Sequence, residues 1–385
     1  MNTDQPILPP AMLGILGGGQ LGRMFTLAAK AMGYRVTVLD PDPNAPAAEF
    51  SDRHLCAAFD DRAALEELAK CAAVTTEFEN VNAGSMRFLA KHTNVSPGGD
   101  CVAIAQNRIQ EKSRIRKAGL QTAPYQAVCR EEDITEASAQ YLPGILKTAT
   151  LGYDGKGQIR VKTPEELRAA FAEHGRVDCV LEKMVDLRGE ISVVVCRLNH
   201  ENVCTFDPAE NIHENGILAY SIVPARLSAD VQQQAQEMAR RLADELDYVG
   251  VLAVEIFVVG DTHELIVNEI APRPHNSGHH TINACAANQF QQQVRIMCKL
   301  PPADTRLLTS CCMANILGDV WSENGSEPNW LPLMNNTHAH LHLYGKKNAR
   351  AGRKMGHFTV LGKDADAAFE AAKQLHASLT DKCSR

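Results

Sequence analysis

The stretch Lys147-Thr-Ala-Thr-Leu-Gly-Tyr-Asp-Gly-Lys-Gly-Gln158 sets three glycines and two lysines between two short strand-like runs, Ile145-Leu146 and Ile159-Arg-Val161. Glycines at Gly152, Gly155 and Gly157 let the backbone turn through positive φ and bare its N–H groups. A run of such amides makes a concave anion cradle, and the lysines add point charges suited to phosphate. No Gly-x-x-x-x-Gly-Lys-Ser/Thr occurs, and strands rather than a helix flank the loop, so it is not a P-loop. The segment reads as a glycine-rich hairpin lid over polyphosphate. The competing reading is a flexible solvated loop.

A second signal lies downstream, in two apolar strands, Val251–Val259 and Leu265–Ile270, joined through Gly260-Asp-Thr-His-Glu264. If Asp261-Thr262-His263 is a three-residue loop, Gly260 pairs with Glu264 and Glu255 falls opposite Glu269. A two-residue turn would shift that pairing by one. Like charges facing each other on a sheet are destabilising, more so when buried. The pair makes sense around a divalent cation, and magnesium takes one or two carboxylates plus substrate phosphates. Asn268 could add an oxygen ligand. Ala271-Pro-Arg-Pro-His275 follows directly, its prolines fixing the backbone around Arg273. Arg273 offers a planar fork for an oxyanion such as bicarbonate, with His275 and Asn276 to orient it.

Towards the N-terminus, Met12-Leu-Gly-Ile-Leu16, a glycine turn, an alanine-rich helix to Met32 and Arg35-Val-Thr-Val-Leu39 form a βαβ unit. Gly17, Gly19 and Gly22 match G-x-G-x-x-G, with Asp40 near the expected acidic position. A helix at 61–71 and a strand at 72–76 continue the alternation, which predicts a doubly wound domain over 12–106. A mixed unit over 107–300 carries the lid at about 144–190. Phe206-Asp-Pro-Ala-Glu-Asn-Ile-His213 reads as a loop, and Ser228 as the N-cap of a helix to about Asp247. Short strands and a terminal helix from Ala365 make a small C-terminal domain over 310–385. The fold class is thus α/β combined with α+β.

The chain has 385 residues, 45% hydrophobic and 22% charged, ordinary for a soluble globular protein of two or three domains. A net charge of −7 argues against a general nucleic-acid binder. The first apolar run, Met12–Leu16, is too short for a signal peptide or membrane span. The 12 cysteines include no C-x-x-C, which predicts free thiols in a reducing, cytoplasmic compartment.

Gly17-Gly-Gly-Gln-Leu-Gly-Arg-Met24, Thr76-Glu-Phe-Glu-Asn80, Gln106-Asn-Arg108, Gly152-Tyr-Asp-Gly-Lys-Gly-Gln158 and Asn268-Glu-Ile-Ala-Pro-Arg-Pro-His-Asn-Ser-Gly-His279 occur in that order. Together they resemble the 5-(carboxyamino)imidazole ribonucleotide synthase family of ATP-grasp enzymes, over nearly the whole chain from Met12. The resemblance implies a pre-ATP-grasp domain, an ATP-grasp domain and a homodimer. It implies ATP- and bicarbonate-dependent carboxylation of an aminoimidazole ribonucleotide in purine biosynthesis. By the same resemblance Arg108, Lys147 and the loop Gly152–Gln158 (Tyr153, Asp154, Gly155, Lys156 and Gly157 between them) would meet ATP phosphates. The backbone of Glu182, Lys183, Met184 and Val185 would hold the adenine edge, and Glu190 the ribose. His213 and Asn268 would lie at the nucleotide, with Glu255 and Glu269 as magnesium ligands. Tyr153, Asp154, Lys156 and Glu77 would face the ribonucleotide beside Gly19, Gln20, Leu21 and Asn80, with Lys346, Arg353 and Lys354 near its phosphate. Lys156 stands where some relatives carry arginine. Residues 1–11 match nothing in the family and are expected to be unstructured. The glycine fingerprint alone would equally suit a nicotinamide-dependent oxidoreductase, but that reading leaves the lid, the glutamates and Arg273 unexplained. Sister ATP-grasp ligases would share the acyl-phosphate chemistry and differ only in the acceptor pocket.

Overall fold

The computed structural model describes residues 5–150, 152, 157–321 and 326–380. Its first layer is a five-stranded parallel sheet. The order across it is Arg53–Leu55, Arg35–Leu39, Met12–Leu16, Ala73–Thr76 and Asn94–Val95. Met12–Leu16 and Ala73–Thr76 are neighbours in register, Leu16 opposite Thr76. The residues that leave this edge, Gly17 and Glu77, therefore emerge side by side. Strand ends at such a point are where open α/β sheets place ligands.

A second sheet, four-stranded and antiparallel, is ordered Tyr125–Val128, Cys179–Lys183, Gly144–Thr148, Gln158–Val161, and three of its strands fall in the segment expected to be the lid. Helix Pro164–Glu173 packs Leu167 and Phe171 onto it, after Thr163 caps its start and proline takes the first turn.

The third element is a nine-stranded antiparallel sheet. Ser228 caps helix Ala229–Glu245, as its sequence position predicts, by accepting from the Val231 amide. Ala235, Met238, Ala239, Leu242 and Ala243 form the face this helix buries against the sheet. Strand Ile217–Val223 pairs on its far side with Ser310–Leu317. The C-terminal strands thus extend the central sheet instead of building a separate one.

Three expectations are corrected. The hairpin loop holds four residues, since Val259 pairs with Glu264, and a bulge then brings Glu255 opposite Glu269. Gly260 and His263 both adopt positive φ, which closes the four-residue turn. Phe206–His213 is not a loop throughout, because Ala209–Glu214 is a strand paired with neighbours on both sides. Of its polar residues Asn211 is buried, while His213 and Glu214 are exposed. Residues 5–11 are not unstructured: the Ile7 amide donates to Cys298 O at 2.9 Å and the Tyr34 hydroxyl to Ile7 O at 2.8 Å. Helix Gln289–Met297 likewise packs Phe290, Val294 and Met297 into the core of the first layer.

Candidate active site

Glu255 and Glu269 are directly opposed on the two strands Gly250–Val259 and Glu264–Ala271. Burial pushes the Glu255 carboxyl well above its ordinary range, and Glu269 and Glu190 push it further. Glu269 Oε2 accepts from Arg108 Nη1 at 2.8 Å, while Glu255 Oε1 lies 3.1 Å from His275 Nε2. The Asn268 Oδ1, between the strands' register and the bulge, is buried with no hydrogen-bond partner among the described residues. Two carboxylates and an orphaned amide oxygen are the hard donors that magnesium takes. Among the described residues no cluster of three His, Cys, Asp or Glu could hold a metal, so the other ligands would be substrate oxygens and water. The residues fit the ion on those terms.

Arg108 opens helix Arg108–Lys117, whose first amides are capped by Asn107, and its Nη2 reaches Gly152 O at 3.4 Å. Lys147 Nζ is 3.0 Å from Glu182 Oε2, and Lys112 Nζ 3.1 Å from Glu182 Oε1. Burial raises the Glu182 carboxyl, but Lys147 and Lys112 outweigh it and hold it at about 2. Glu190 and His213 meet at 3.1 Å, joining two residues distant in the chain. The Lys183 and Met184 amides donate to Pro124 O (2.8 Å) and Pro143 O (3.0 Å), so a base edge would have to use other backbone groups, with Val185 next in line. Gly157 has φ +70°, in the region that favours glycine. Tyr153, Asp154, Gly155 and Lys156 lie outside the described residues.

On the other flank of the carboxylates, Arg273 Nε donates to Glu79 Oε2 and its Nη1 to Pro274 O at 3.1 Å. Burial raises the Glu79 carboxyl, but the guanidinium beside it holds it down at about 2. Burial, with Arg273 and Lys354 adding, pushes the His275 imidazole down to about 3, which leaves it neutral.

At the glycine turn the Gly19 and Gly22 amides donate to Glu77 Oε1 (2.5 Å) and Oε2 (2.6 Å), and Gly18 N to Asp40 Oδ2 at 2.7 Å. A Cβ at Gly17 or Gly19 would collide with the Glu77 side chain. A carboxylate of the chain itself thus takes up the amides of this turn. Burial raises the Glu77 carboxyl, partly countered by the two amides. Lys346 reaches this edge from the C-terminal segment, donating to Gln20 Oε1 and Lys354 O at 2.7 Å each. Arg353 Nη1 donates to Asn348 O at 2.7 Å. Leu21 is in the core, so only its backbone faces the turn, and Asn80 is exposed beside Glu79.

Three family models match successive stretches of the chain: the ribonucleotide synthetase preATP-grasp domain over 11–106, the ATP-grasp domain over 113–290, and the phosphoribosylaminoimidazole carboxylase C-terminal domain over 311–371. The N5-carboxyaminoimidazole ribonucleotide synthase of Bacillus subtilis is 43% identical, covering 94% of this chain and 95% of the relative. This chain belongs to the N5-carboxyaminoimidazole ribonucleotide synthase family. It is an ATP-grasp ligase. A synthetase of this kind solved as its ADP complex is 44% identical, covers 98% of each chain and superposes with a TM-score of 0.89. The Aspergillus clavatus synthase, solved with ADP and 5-aminoimidazole ribonucleotide, is 31% identical with a TM-score of 0.87, over 96% of this chain and 98% of that one.

Within this synthase fold two site residues escaped the sequence reading. Glu79 anchors Arg273, and its signal was its place in Thr76-Glu-Phe-Glu-Asn80, beside Glu77. Glu111 lies under the carboxylate pair, accepts from the Ile270 amide at 2.7 Å, and is raised to about 8 by burial and Glu269. Nothing in its helical context marks it. Among the described residues no helix is long and apolar enough to cross a membrane, and the cysteines described are free.

Proposed function

We propose that this chain uses ATP and bicarbonate to carboxylate the exocyclic amine of 5-aminoimidazole ribonucleotide, through a carboxyphosphate. The observation that carries the reading is the Glu255–Glu269 pair, with Arg108, Lys147 and the Glu190–His213 couple on one flank and Arg273 with His275 on the other. The first group suits a nucleotide tail, the second a small planar anion.

A magnesium ion held by Glu255 and Glu269 would supply charge neutralisation at the phosphates. Arg108 and Lys147 contribute fixed positive charge on the nucleotide side, and Glu190 with His213 offers a polar pair for ribose hydroxyls. Arg273, fixed by Glu79, presents its guanidinium to bicarbonate, while neutral His275 can donate one hydrogen bond to it. A bicarbonate oxygen attacks the γ-phosphorus and ADP leaves. The amine nitrogen then attacks the carboxyl carbon, the C–O bond to phosphate breaks, and phosphate departs. By the family resemblance, Asp154 takes the amine proton. Carboxyphosphate hydrolyses readily, so the Gly152–Gln158 loop acts as the closing lid that excludes water. Gln20, Glu77, Lys346, Arg353 and Lys354 form the ribonucleotide end, the basic side chains serving its phosphate.

ADP release measured with and without bicarbonate and aminoimidazole ribonucleotide tests this reading. Turnover should require both, and release indifferent to either would refute it. The family relationship further supports a homodimer in the cytoplasm, which light scattering and cell fractionation would check.

A further inference from the structure

Behind His275 runs a buried line of polar side chains drawn from four separate segments. Ser277 Oγ lies 2.9 Å from His275 Nδ1, and Ser192 Oγ 2.7 Å from Ser277 Oγ. Asn211 Nδ2 donates to Ser192 Oγ at 2.9 Å, and Ser221 Oγ to Asn211 Oδ1 at 2.8 Å. Ser277, Ser192 and Ser221 are no more than 2% exposed and Asn211 is 8% exposed. No water is needed to complete the line, and every hydroxyl in it has a neighbour.

The direction of its hydrogen bonds is fixed at one end. The Ser277 backbone N–H, which can only donate, points at His275 Nδ1 at 3.4 Å. Nδ1 therefore carries a lone pair, and the Ser277 hydroxyl must donate to it as well. Ser277 then has only acceptor capacity left for Ser192, which passes its proton to Ser277 and accepts from Asn211. That leaves the Asn211 carbonyl oxygen to accept from Ser221. Each bond is consistent with the next, and the single arrangement that satisfies all of them puts the imidazole proton on Nε2. Nε2 in turn faces Glu255 Oε1 at 3.1 Å. Contact with Glu255 could not settle the matter from its own side, since a protonated Glu255 would donate to a bare Nε2 instead.

We propose that Ser277, Ser192 and Asn211 are positioning residues that fix His275 as its Nε2–H tautomer. The proposal deepens the reading in which His275 holds bicarbonate and rests on it for its catalytic consequence. An Nε2–H donates to an anion's oxygen, whereas the other tautomer aims a lone pair at it. With Nδ1 accepting from the backbone amide the ring carries a single proton, so the tautomer decides what it offers.

Asn211→Asp tests this, because an ionised carboxylate only accepts. Ser192 would turn its hydroxyl to Asp and Ser277 its own to Ser192, so that Ser277 Oγ, 2.9 Å away, would accept a proton carried on Nδ1, opposed only by the longer 3.4 Å contact of the backbone amide. Nitrogen-15 spectra of histidine-labelled protein, with the His275 signals assigned through His275→Asn, report the proton's position directly. The wild type should show Nε2 protonated and Nδ1 bare. N211D should show a proton on Nδ1, with kcat at saturating bicarbonate lowered at least tenfold and the KM for ATP changed less than twofold. Ser277→Asp sets an acceptor-only group beside Nδ1 and serves if the first variant does not fold, with the second tautomer again expected. Retention of Nε2–H alone in whichever variant folds overturns the proposal. A moved proton with unchanged kcat leaves the relay standing and refutes the role given to His275.

Discussion

Arg273→Met removes the cation from an ion pair with Glu79 whose side chains are 16% and 28% exposed. Glu79 is held at about 2 against an ordinary 4.5, despite the opposing effect of burial. A depression of that size is worth about 3 kcal/mol at neutral pH, at about 1.4 kcal/mol per pH unit. The sign follows from the direction. A carboxyl with a lower value in the folded state stabilises fully above its unfolded value, and loses that contribution as pH falls from 4.5 towards about 2. The same loss reckoned from the broken pair, which leaves the Glu79 carboxylate half-buried and unpaired, is about 3–5 kcal/mol. Urea unfolding at a series of pH values is the assay. R273M should be about 3 kcal/mol less stable at pH 7, with the gap to wild type closing in acid. Adding Glu79→Gln should recover at least half of the loss, since no orphaned charge remains. Equal loss in the single and double variants, or a gap that ignores pH, would refute the pairing argument.

Glu269→Ala should abolish ADP release while far-UV circular dichroism stays native; it should also erase the gain in thermal stability from magnesium and ATP, about 2.7 kcal/mol at a hundredfold excess over Kd. Normal turnover in that variant would remove the metal assignment. Lys346→Ala should raise the KM for the ribonucleotide at least tenfold and that for ATP less than twofold. Burial, with Arg353 adding, lowers the Lys346 amine to about 8, so the wild-type ribonucleotide KM should climb as pH passes that value and the variant's should not. Titration with a nicotinamide dinucleotide should leave the melting temperature unchanged where ATP raises it, because Glu77 already holds the Gly19 and Gly22 amides.

The carboxylate pair was legible because two glutamates interrupt strongly apolar strands, and no sheet buries such residues without a reason. Its register was reached by an incorrect route. Pattern fixes which residues alternate, but turn length and bulges depend on backbone torsions such as the positive φ of Gly260 and His263, which no periodicity reveals. The glycine turn was legible as a βαβ corner, but not what its amides bind. The occupant, Glu77, is placed there by the pairing of Leu16 with Thr76, a contact between strands far apart in sequence. Strand Ala209–Glu214 was hidden for a related reason. Asn211 looks solvent-seeking in isolation, yet its partners Ser192 and Ser221 lie on the strands that flank it. Polar residues that satisfy one another across segments carry no local signature.

The same long-range pairing accounts for how the two chemical ends come within reach of one another. Strand Lys354–Gly362 is tied through Ser310–Leu317 and Ile217–Val223 to the sheet that holds Glu255. Lys354 sits at the start of that strand, and its charge acts on both Glu255 and Lys346. Lys346 in turn bonds Gln20, at the first turn of the helix that follows the glycines. Three sequence regions thus converge on one wall, running from the carboxylate pair to the Glu77 cradle. A labile acyl phosphate formed at one end must be consumed before water reaches it, so a short path to the amine matters more than tight binding of either substrate alone. A sheet continuous across the domain boundary fixes that path, where a hinge between separate domains would leave it to chance.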